Sequence, residues 1–350
     1  MSNSRIATAA LHPYSGDYVL FEIKYYFLGA GAIFDDVKNK KSNVCPLRNL
    51  AKTTAIVTGG SRGIGAALVA KLLQCEMHVI IACRNVDAGQ RKLEEIRNMG
   101  ITTGTANVYE LDLMSFASIK KFASEVKKKF RAIHLLVHNA GIMFAPYRES
   151  EDGFESHWQV NHLGPALLTH LLLPIIEPST KNERNFTPRI VSVTSCAHAA
   201  ARQINFENIS MKDHYIPSAA YAQSKLAQLL FAINLGKRLE RASSKVQVHC
   251  VHPGIVNTDL FDGTLLKKTM PWVLTRICKT AEKGAVSVLH ACISPQLDDK
   301  TGTYSSNCRI VEPGRNARSR HLRHRIFNKT LENLGLEHFG HLDAGWIVDD

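Results

Sequence analysis

The strongest constraint on the fold is a regular alternation of patterns that begins at Thr53. Short runs of β-branched and apolar residues are each followed by a longer stretch with helical period, which predicts βαβ units and a parallel sheet. Because the runs are almost continuously apolar, we expect helices to cover both faces of that sheet. The alternation therefore predicts a doubly wound α/β fold with three layers.

We expect one α/β domain of the Rossmann type over residues 51–310, with about seven parallel strands. The expected strands cover residues 54–58, 78–83, 107–111, 133–138, 189–194 and 246–251, with a seventh near 303–305. The expected helices cover residues 64–73, 88–98, 116–130, 154–173, 219–239 and 281–293. Residues 1–50 form an N-terminal appendage. Residues 311–350 form a basic C-terminal extension, in which 315–325 is interpreted as a solvated helix or tail, the alternative being a patch that faces phosphate or lipid.

The N-terminal appendage contains a stretch, residues 18–34, that is rich in apolar and aromatic side chains but includes Glu22 and Lys24. A membrane-spanning helix needs about 20 predominantly apolar residues, so this stretch fits a spanning helix poorly. Two interpretations stay open. The stretch is either an amphipathic segment that lies at a membrane interface or a helix packed on the body of the protein.

The net charge and the cysteine pattern indicate which kinds of ligand and partner the protein can bind. The formal net charge of +12 favours anionic partners such as phosphorylated cofactors or acidic lipid surfaces, although a solvated basic surface is the simpler interpretation. Nucleic acid is not expected, because the sequence shows no zinc-finger spacing, no basic region leading into heptads and no RNP-like motif. The eight cysteines form no CxxC pair, so we expect reduced thiols and no metal site.

A glycine-rich turn joins the first expected strand to the first expected helix. Glycines permit a tight turn and close approach of the backbone to a pyrophosphate, and a helix N-terminus offers free N–H groups to the anion. A turn of this kind between a first strand and a first helix predicts a dinucleotide site. Its candidate cofactor-binding residues are Thr58, Gly59, Ser61, Arg62, Gly63, Ile64 and Gly65.

The end of the second strand indicates which dinucleotide binds. In such folds a carboxylate at this position binds the adenosine ribose of NAD. Here Cys83 takes the position and Arg84 follows it. A guanidinium can bind a phosphate through two hydrogen bonds, and Arg62 can reach the same place. The sequence therefore predicts NADP(H), the alternative being that both arginines simply face solvent.

A tyrosine and a lysine form the candidate catalytic pair. Tyr221 and Lys225 are four residues apart within a helical pattern, so they share one helix face. A nearby ammonium lowers the pKa of a phenol from its usual value of about 10. Ser195 follows the fifth strand, at the edge where open α/β sheets bind ligands. His198, three residues after Ser195, suggests a serine hydrolase. Ser195 lies in no G-x-S-x-G turn, however, so we do not expect a hydrolase.

Taken in order, these motifs resemble those of the short-chain dehydrogenase/reductase family over residues 53–306. The long spacing between Ser195 and Tyr221 resembles its retinol-dehydrogenase-like branch. The resemblance implies a catalytic set formed by Asn161, Ser195, Tyr221 and Lys225. It also implies that the cofactor contacts Asp112 at the adenine, then Asn139, Ala140, Gly141, Tyr221 and Lys225, and at the nicotinamide end Pro253, Gly254 and Thr258.

The resemblance implies an NADP(H)-dependent oxidoreductase that interconverts a carbonyl and an alcohol, with Tyr221 as general acid/base. The branch, and the apolar residues of 260–278, favour a lipophilic small-molecule substrate such as a retinoid, a steroid or a long-chain isoprenoid. A catalytically silent NADP(H)-binding scaffold or sensor is the alternative. We expect peripheral membrane contact at the endoplasmic reticulum, with an active site that faces the cytoplasm or another reducing environment, the alternative being the cytosol. Whether the protein forms a homodimer stays open.

Overall fold

The computed structural model of the chain describes residues 16–177, 186–201, 203–257 and 278–343. Its helices are α1 (Gly16–Lys38), α2 (Gly63–Gln74), α3 (Val86–Asn98), α4 (Phe116–Lys129), α5 (Ser156–Trp158), α6 (Gly164–Ile176), α7 (Pro217–Arg241), α8 (Ala281–Ile293) and α9 (Arg320–Leu334). The strands are β1 (Thr54–Thr58), β2 (His78–Cys83), β3 (Thr105–Glu110), β4 (Leu135–His138), β5 (Arg189–Val193), β6 (Gln247–His252), β7 (Thr303–Ser306), β8 (Arg309–Ile310), β9 (His338–Phe339) and β10 (Leu342–Asp343).

One sheet organises the fold. Its strand order is β3-β2-β1-β4-β5-β6-β7-β8, and β1 to β7 run parallel. The chain winds outwards in both directions from the β1–β4 pair, and ligands of such sheets bind at the carboxyl ends of the strands beside this point. The expected doubly wound fold of the Rossmann type is confirmed.

The core lies on both faces of the sheet. Within β1, Ile56 belongs to one apolar cluster and its neighbour Val57 to the other. Ile80 and Ile81 of β2 divide in the same way, because successive side chains of a strand point to opposite faces. The continuous apolar runs in the sequence therefore reflect helices on both sides of the sheet.

The sheet has one strand more than the sequence predicted. The short strand β8 pairs antiparallel with β7. Asn307 and Cys308 connect the two strands, with φ of 51° and 57°, and two residues with positive φ form the tight turn that suits a β-hairpin. A two-residue strand has no detectable period, and cysteine is not typical of such turns. The sequence therefore carried no signal for β8.

The helix predicted over residues 154–173 is interrupted. The short helix α5 is followed by a π-helical turn, Gln159–Leu163, before α6 begins. Pro165 has no N–H to donate to the carbonyl of Asn161, and its ring crowds that carbonyl. The wider turn accommodates this conflict at Asn161, one of the four expected catalytic residues. Such π-turns are frequent at functional sites.

The N-terminal helix α1 packs on the body of the protein, as the second interpretation of residues 18–34 expected. Phe21 is buried in the core, and Glu22 accepts a hydrogen bond from the Ser218 hydroxyl at the start of α7. The ammonium of Lys24 donates to the carbonyl of Ala200 at 3.5 Å. Across the parts of the chain that the structure describes, no helix has the length and apolar character needed to cross a membrane.

The C-terminal helix α9 begins within the basic run 315–325, whose arginines are mostly exposed, and packs on the protein beyond that run. Its Phe327 is fully buried and stacks on Phe231 of α7, with ring centroids 5.6 Å apart. The guanidinium of Arg238 lies 4.0 Å from the centre of the Phe327 ring. Ala317 within the basic run is also buried, but most of the buried apolar side chains, Ile326, Phe327 and Leu331, lie beyond it.

Candidate active site

The glycine-rich turn forms a tightly packed connection between β1 and α2. Gly59 and Gly63 have φ of 68° and 53°, values that glycine adopts readily. A Cβ atom on Gly65 would lie 2.2 Å from the carbonyl oxygen of Gly59, so α2 can start this close only with glycine there. The N-cap residue of α2, Arg62, makes no side-chain capping hydrogen bond to the first N–H groups of the helix. They suit the pyrophosphate of a dinucleotide.

Thr58 fixes the segment after β4 to this turn. Its hydroxyl accepts hydrogen bonds from the backbone N–H groups of Asn139 and Ala140 at 3.1 and 3.0 Å. The Asn139 amide donates to the carbonyl of Thr58 at 2.9 Å. The sequence-predicted Asn-Ala-Gly segment therefore lies directly beside the glycine-rich turn, at the switch point of the sheet.

The end of β2 carries a thiol where an NAD-binding site would have a carboxylate. Cys83 is buried and donates to the carbonyl of Asn85 at 3.2 Å, and burial raises its pKa. Arg62 and Arg84 are exposed residues that line the same cavity. Asp112 also lines it, and its carboxylate accepts a hydrogen bond from the N–H of Met114 at 2.9 Å.

Tyr221 and Lys225 are buried on α7, which begins with Pro217 at a position that tolerates proline. The Lys225 ammonium donates to the carbonyl of Val193 at 3.0 Å and to Gln228 Oε1 at 3.1 Å. Neither partner is charged, and burial lowers the Lys225 pKa to about 7. Burial raises the pKa of Tyr221, while a hydrogen bond with Ser195 lowers it by a smaller amount. The protein groups alone therefore do not produce the low phenol pKa that was expected.

Asn161 lies behind the cavity wall and holds the segment that follows β4. Its carboxamide accepts from the N–H of Ile142 at 2.9 Å and donates to the Ile142 carbonyl at 3.0 Å. A Cβ on Gly141 would lie 3.0 Å from Asn161 Oδ1 and 3.5 Å from Lys225 Nζ. Asn161 and Lys225 therefore face each other across a position that has no side chain.

Ser195 lies at the carboxyl end of β5 and begins a turn of 3-10 helix, Cys196–Ala199. Its hydroxyl accepts from the N–H of Ala197 at 3.2 Å. His198 Nε2 accepts from the N–H of Gly314 at 2.9 Å, so its Nδ1–H donates to the Ser195 carbonyl at 2.6 Å. His198 thus links the Ser195 turn to the segment before α9, a structural role that the sequence did not reveal.

A single cavity of about 1120 Å³ brings these groups together. Among the described residues it is lined by the glycine-rich turn, by Ser195, Tyr221 and Lys225, and by every other expected cofactor residue except Thr258. Thr258 lies outside the described residues, as does most of 260–278. The wall also includes residues of α1 that sequence reasoning missed: Tyr25, Tyr26, Leu28, Gly29, Ala30 and Ile33.

Aromatic side chains form a wall beside the ring of Tyr221. The ring of Phe144 lies 6.0 Å from that of Tyr221 and 5.6 Å from that of Tyr25 on α1. Phe144 has φ of 55°, an uncommon conformation for a bulky residue that often marks a functional region. The site therefore has a polar end at Ser195, Tyr221 and Lys225 and an aromatic side formed partly by the N-terminal helix.

Known proteins share this fold and sequence. The family model for short chain dehydrogenases matches residues 53–268. The chain is 35% identical to human retinol dehydrogenase 11 over 302 residues, which are 85% of this chain and 91% of that protein. It is also 35% identical to human polyprenol dehydrogenase over 287 residues, 81% of this chain and 85% of that protein.

Solved structures agree with this fold. An uncharacterized protein from Mycobacterium paratuberculosis has a TM-score of 0.66 and 28% identity, covering 86% of this chain and 97% of its own. Salutaridine reductase from Papaver somniferum, with a TM-score of 0.56 and 23% identity, covers 72% of this chain and 99% of its own and shows the fold alone. The chain thus belongs to the short-chain dehydrogenase family of oxidoreductases and is similar to retinol dehydrogenases.

Proposed function

We propose that this protein is an NADP(H)-dependent oxidoreductase that interconverts a carbonyl and an alcohol on a lipophilic substrate. One observation carries the proposal: Ser195, Tyr221 and Lys225 face the same cavity as the glycine-rich turn between β1 and α2. A phenol, a hydroxyl and an ammonium beside a dinucleotide site can transfer a proton and orient a carbonyl for reversible hydride transfer. We assign this catalytic unit to residues 51–310, with α1 and α9 packed against it.

The choice of NADP(H) over NAD(H) rests on the end of β2. A carboxylate there would bind the ribose of NAD and repel a 2′-phosphate, but the position is a buried thiol, Cys83. Arg62 and Arg84 line the cavity nearby and offer guanidinium groups to the phosphate. We assign Asp112 to the adenine end, Asn139, Ala140 and Gly141 to the middle of the site, and Pro253, Gly254 and Thr258 to the nicotinamide end.

Each catalytic side chain has a defined part. When bound, NADPH would supply the hydride for reduction. Tyr221 would donate the proton to the substrate oxygen, which Ser195 would hold by a hydrogen bond. The raised pKa of Tyr221 keeps its phenol protonated at neutral pH, as a proton donor must be. Lys225, with a pKa of about 7, exchanges protons readily near neutral pH. Asn161 holds the backbone at Ile142, and the family resemblance implies that it also binds a water that relays protons to Lys225.

The shape and chemistry of the cavity support a lipophilic substrate. Its volume of about 1120 Å³ exceeds the roughly 300–1,000 Å³ of ordinary small-ligand pockets, so a cofactor and a long apolar molecule fit together. Tyr25 and Phe144 provide an aromatic wall beside Tyr221. The names of its relatives, retinol dehydrogenase and polyprenol dehydrogenase, point to isoprenoid alcohols and their carbonyl forms.

We further propose that the outward face of α1 contacts a membrane surface. Seven large apolar residues of α1 are exposed by about half or more: Val19, Leu20, Ile23, Tyr26, Phe27, Phe34 and Val37. An apolar helix face flanked by lysines binds the boundary between lipid headgroups and chains. Replacing Phe27 and Phe34 by Asp should release the protein from lipid vesicles in a sedimentation assay, and unchanged sedimentation would contradict this contact.

The activity is tested by NADPH oxidation with detergent-purified protein and three substrates: retinal, a long-chain polyprenal and a steroid ketone. We expect turnover with at least one of them, and much lower turnover when NADH replaces NADPH. Tyr221→Phe should lose turnover by about 100-fold or more while still binding NADPH. The matched control Tyr25→Phe also removes a hydroxyl from the cavity wall and should stay active.

The possible outcomes separate the competing functions. Turnover by Tyr221→Phe close to the wild-type rate would exclude the proposed mechanism. Binding of NADPH without turnover of any substrate in the panel would favour the silent scaffold. A wild-type protein that does not bind NADPH would refute the cofactor assignment itself.

A further inference from the structure

The last turn of α1 reaches the loop that follows β6. Asp36 is buried there, and its Oδ1 lies 2.9 Å from the ammonium of Lys279. Its second oxygen, Oδ2, accepts a hydrogen bond from the backbone N–H of Ile255 at 2.9 Å. One carboxylate therefore bonds both to a cation and to the loop that carries Pro253 and Gly254.

Further buried polar groups surround this ion pair and bond to it. Lys279 also donates to Asn307 Oδ1 at 2.5 Å and to the carbonyl of Pro253 at 3.4 Å. Asn307, itself completely buried, donates to Asp36 Oδ1 at 3.1 Å. Four parts of the chain thus meet here: the end of α1, the loop after β6, the segment before α8, and the β7–β8 turn.

Gly254 lies directly against the pair. Its φ of 93° suits glycine, and a Cβ atom there would lie 2.6 Å from Asp36 Oδ2 and 2.7 Å from Lys279 Nζ. The backbone of Lys279 holds the same loop, because its N–H donates to the carbonyl of Ile255 at 2.8 Å and its carbonyl accepts from the N–H of Asn257 at 3.0 Å. The position of this loop is therefore coupled to the ion pair through both side chain and backbone.

A buried ion pair is an inefficient way to stabilise a fold, because removing two charges from water costs several kcal/mol per ion and an apolar pair often serves as well. What an apolar pair could not provide here is the hydrogen bond to the Ile255 N–H. Asp36 is the group that supplies it, and the loop lines the cavity through Pro253, Gly254 and Ile255.

We propose that Asp36 is a positioning residue for the cofactor, which makes the N-terminal helix a part of the nicotinamide end of the site. The inference rests on the NADP(H) function proposed above. By fixing Ile255 and Lys279, Asp36 holds the Pro253–Gly254 backbone in the conformation that receives the nicotinamide. The helix that faces the membrane and lines the substrate cavity would thereby also set cofactor affinity.

The first test compares two adjacent carboxylates by titration of NADPH fluorescence. Asp36→Asn should weaken NADPH binding about tenfold, within the range usual for coupling between sites. Asp35→Asn is the matched control: Asp35 is half-exposed and contacts Asn307 and Arg309 rather than the loop, so its variant should bind within twofold of wild type. Amide exchange at Ile255 without cofactor should accelerate in Asp36→Asn alone.

A double variant separates positioning from general stability, including the case in which Asp36→Asn folds poorly. Asp36→Leu with Lys279→Met replaces the ion pair by apolar side chains of similar shape and should restore thermal stability. We expect its NADPH affinity to stay low and Ile255 to keep exchanging quickly. Wild-type NADPH affinity in this folded double variant would overturn the proposal.

A last comparison distinguishes failure of this inference from failure of the proposed function. If wild-type protein binds NADPH and Asp36→Asn binds it equally well, Asp36 has no positioning role and the cofactor assignment stands. If wild-type protein binds no NADPH, the proposed function fails, and the cofactor role of Asp36, which rests on that function, fails as well. In either case, the rate of amide hydrogen exchange at Ile255 shows whether Asp36 holds the loop after β6.

Discussion

The burial of Lys225 should be measurable as a pH-dependent loss of stability. Its ammonium has two uncharged partners, the Val193 carbonyl and Gln228 Oε1, and burial lowers its pKa from 10.5 to about 7. In the unfolded chain the lysine keeps its proton up to its ordinary pKa, whereas in the folded chain it releases the proton near neutrality. Between these two pKa values the folded state binds fewer protons than the unfolded state.

The sign and the magnitude follow from this difference. Stability rises with pH wherever the unfolded state binds more protons, by about 1.4 kcal/mol per pH unit for one proton. The lysine therefore destabilises the fold most at and below neutral pH, and the penalty fades as pH rises towards 10.5. Lys225→Met removes the charge and keeps most of the packing. We expect this variant to be inactive but more stable than wild type at pH 7.

The measurement is urea unfolding by circular dichroism at several values from about pH 6.5 to pH 9.5. The stability advantage of Lys225→Met over wild type should shrink by about 1.4 kcal/mol per unit above neutrality. Lys237→Met is the matched control on the same helix, because Lys237 is half-exposed and its replacement should change stability by about 0.5 kcal/mol or less. An advantage that stays constant over this pH range would refute the reasoning.

Three further predictions test the turn, the cofactor choice and the C-terminal helix. Gly65→Ala places a Cβ 2.2 Å from the Gly59 carbonyl oxygen, so NADPH affinity, measured by fluorescence titration, should fall by about 100-fold. Gly31→Ala is the control: Gly31 has open space around it, so this variant should bind NADPH as wild type does. Cys83→Asp introduces a carboxylate at the end of β2 and should shift the NADPH-to-NADH ratio of kcat/KM towards NADH. An unchanged ratio would contradict the proposal that the residue at this position selects the cofactor. Phe327→Ala removes a fully buried ring from α9 and should lower the free energy of unfolding by about 3–5 kcal/mol, and a loss below about 1 kcal/mol would show that α9 contributes little.

The fold could be predicted because its signal is local and repeated. Each strand is an apolar run, and each helix shows its own period. Within β1, the neighbours Ile56 and Val57 are both apolar and lie in the cores on opposite faces of the sheet, so one short segment indicates that both faces are covered. Because the carboxyl ends of parallel strands meet at one edge, Thr58 and Ser195 could be assigned to one site from their positions alone. The structure places both in the wall of the same cavity.

What the sequence could not predict depends on contacts between distant residues or on local exceptions. The π-turn at Asn161 results from Pro165 four residues later, a conflict that a continuous helical period conceals. Asp36 and Lys279 meet although 243 positions separate them, and no local pattern marks either as a partner of the other. The structural role of His198, whose Nε2 accepts from the Gly314 N–H, likewise depends on a contact between distant residues that the sequence does not show.

The helix α1 shows why hydropathy left two interpretations open. An amphipathic helix has one apolar stripe, whereas α1 has two: Phe21 and Tyr25 face the protein, and Phe27 and Phe34 face outward. A packed helix and a membrane-facing helix are therefore not alternatives here, since each stripe can serve one surface. If so, the two roles should separate by mutation. Replacing Phe27 and Phe34 by Asp should abolish vesicle binding and leave NADPH affinity intact. Asp36→Asn should weaken NADPH binding about tenfold and leave vesicle binding intact, because the carboxylate of Asp36 bonds to the loop after β6 and to Lys279.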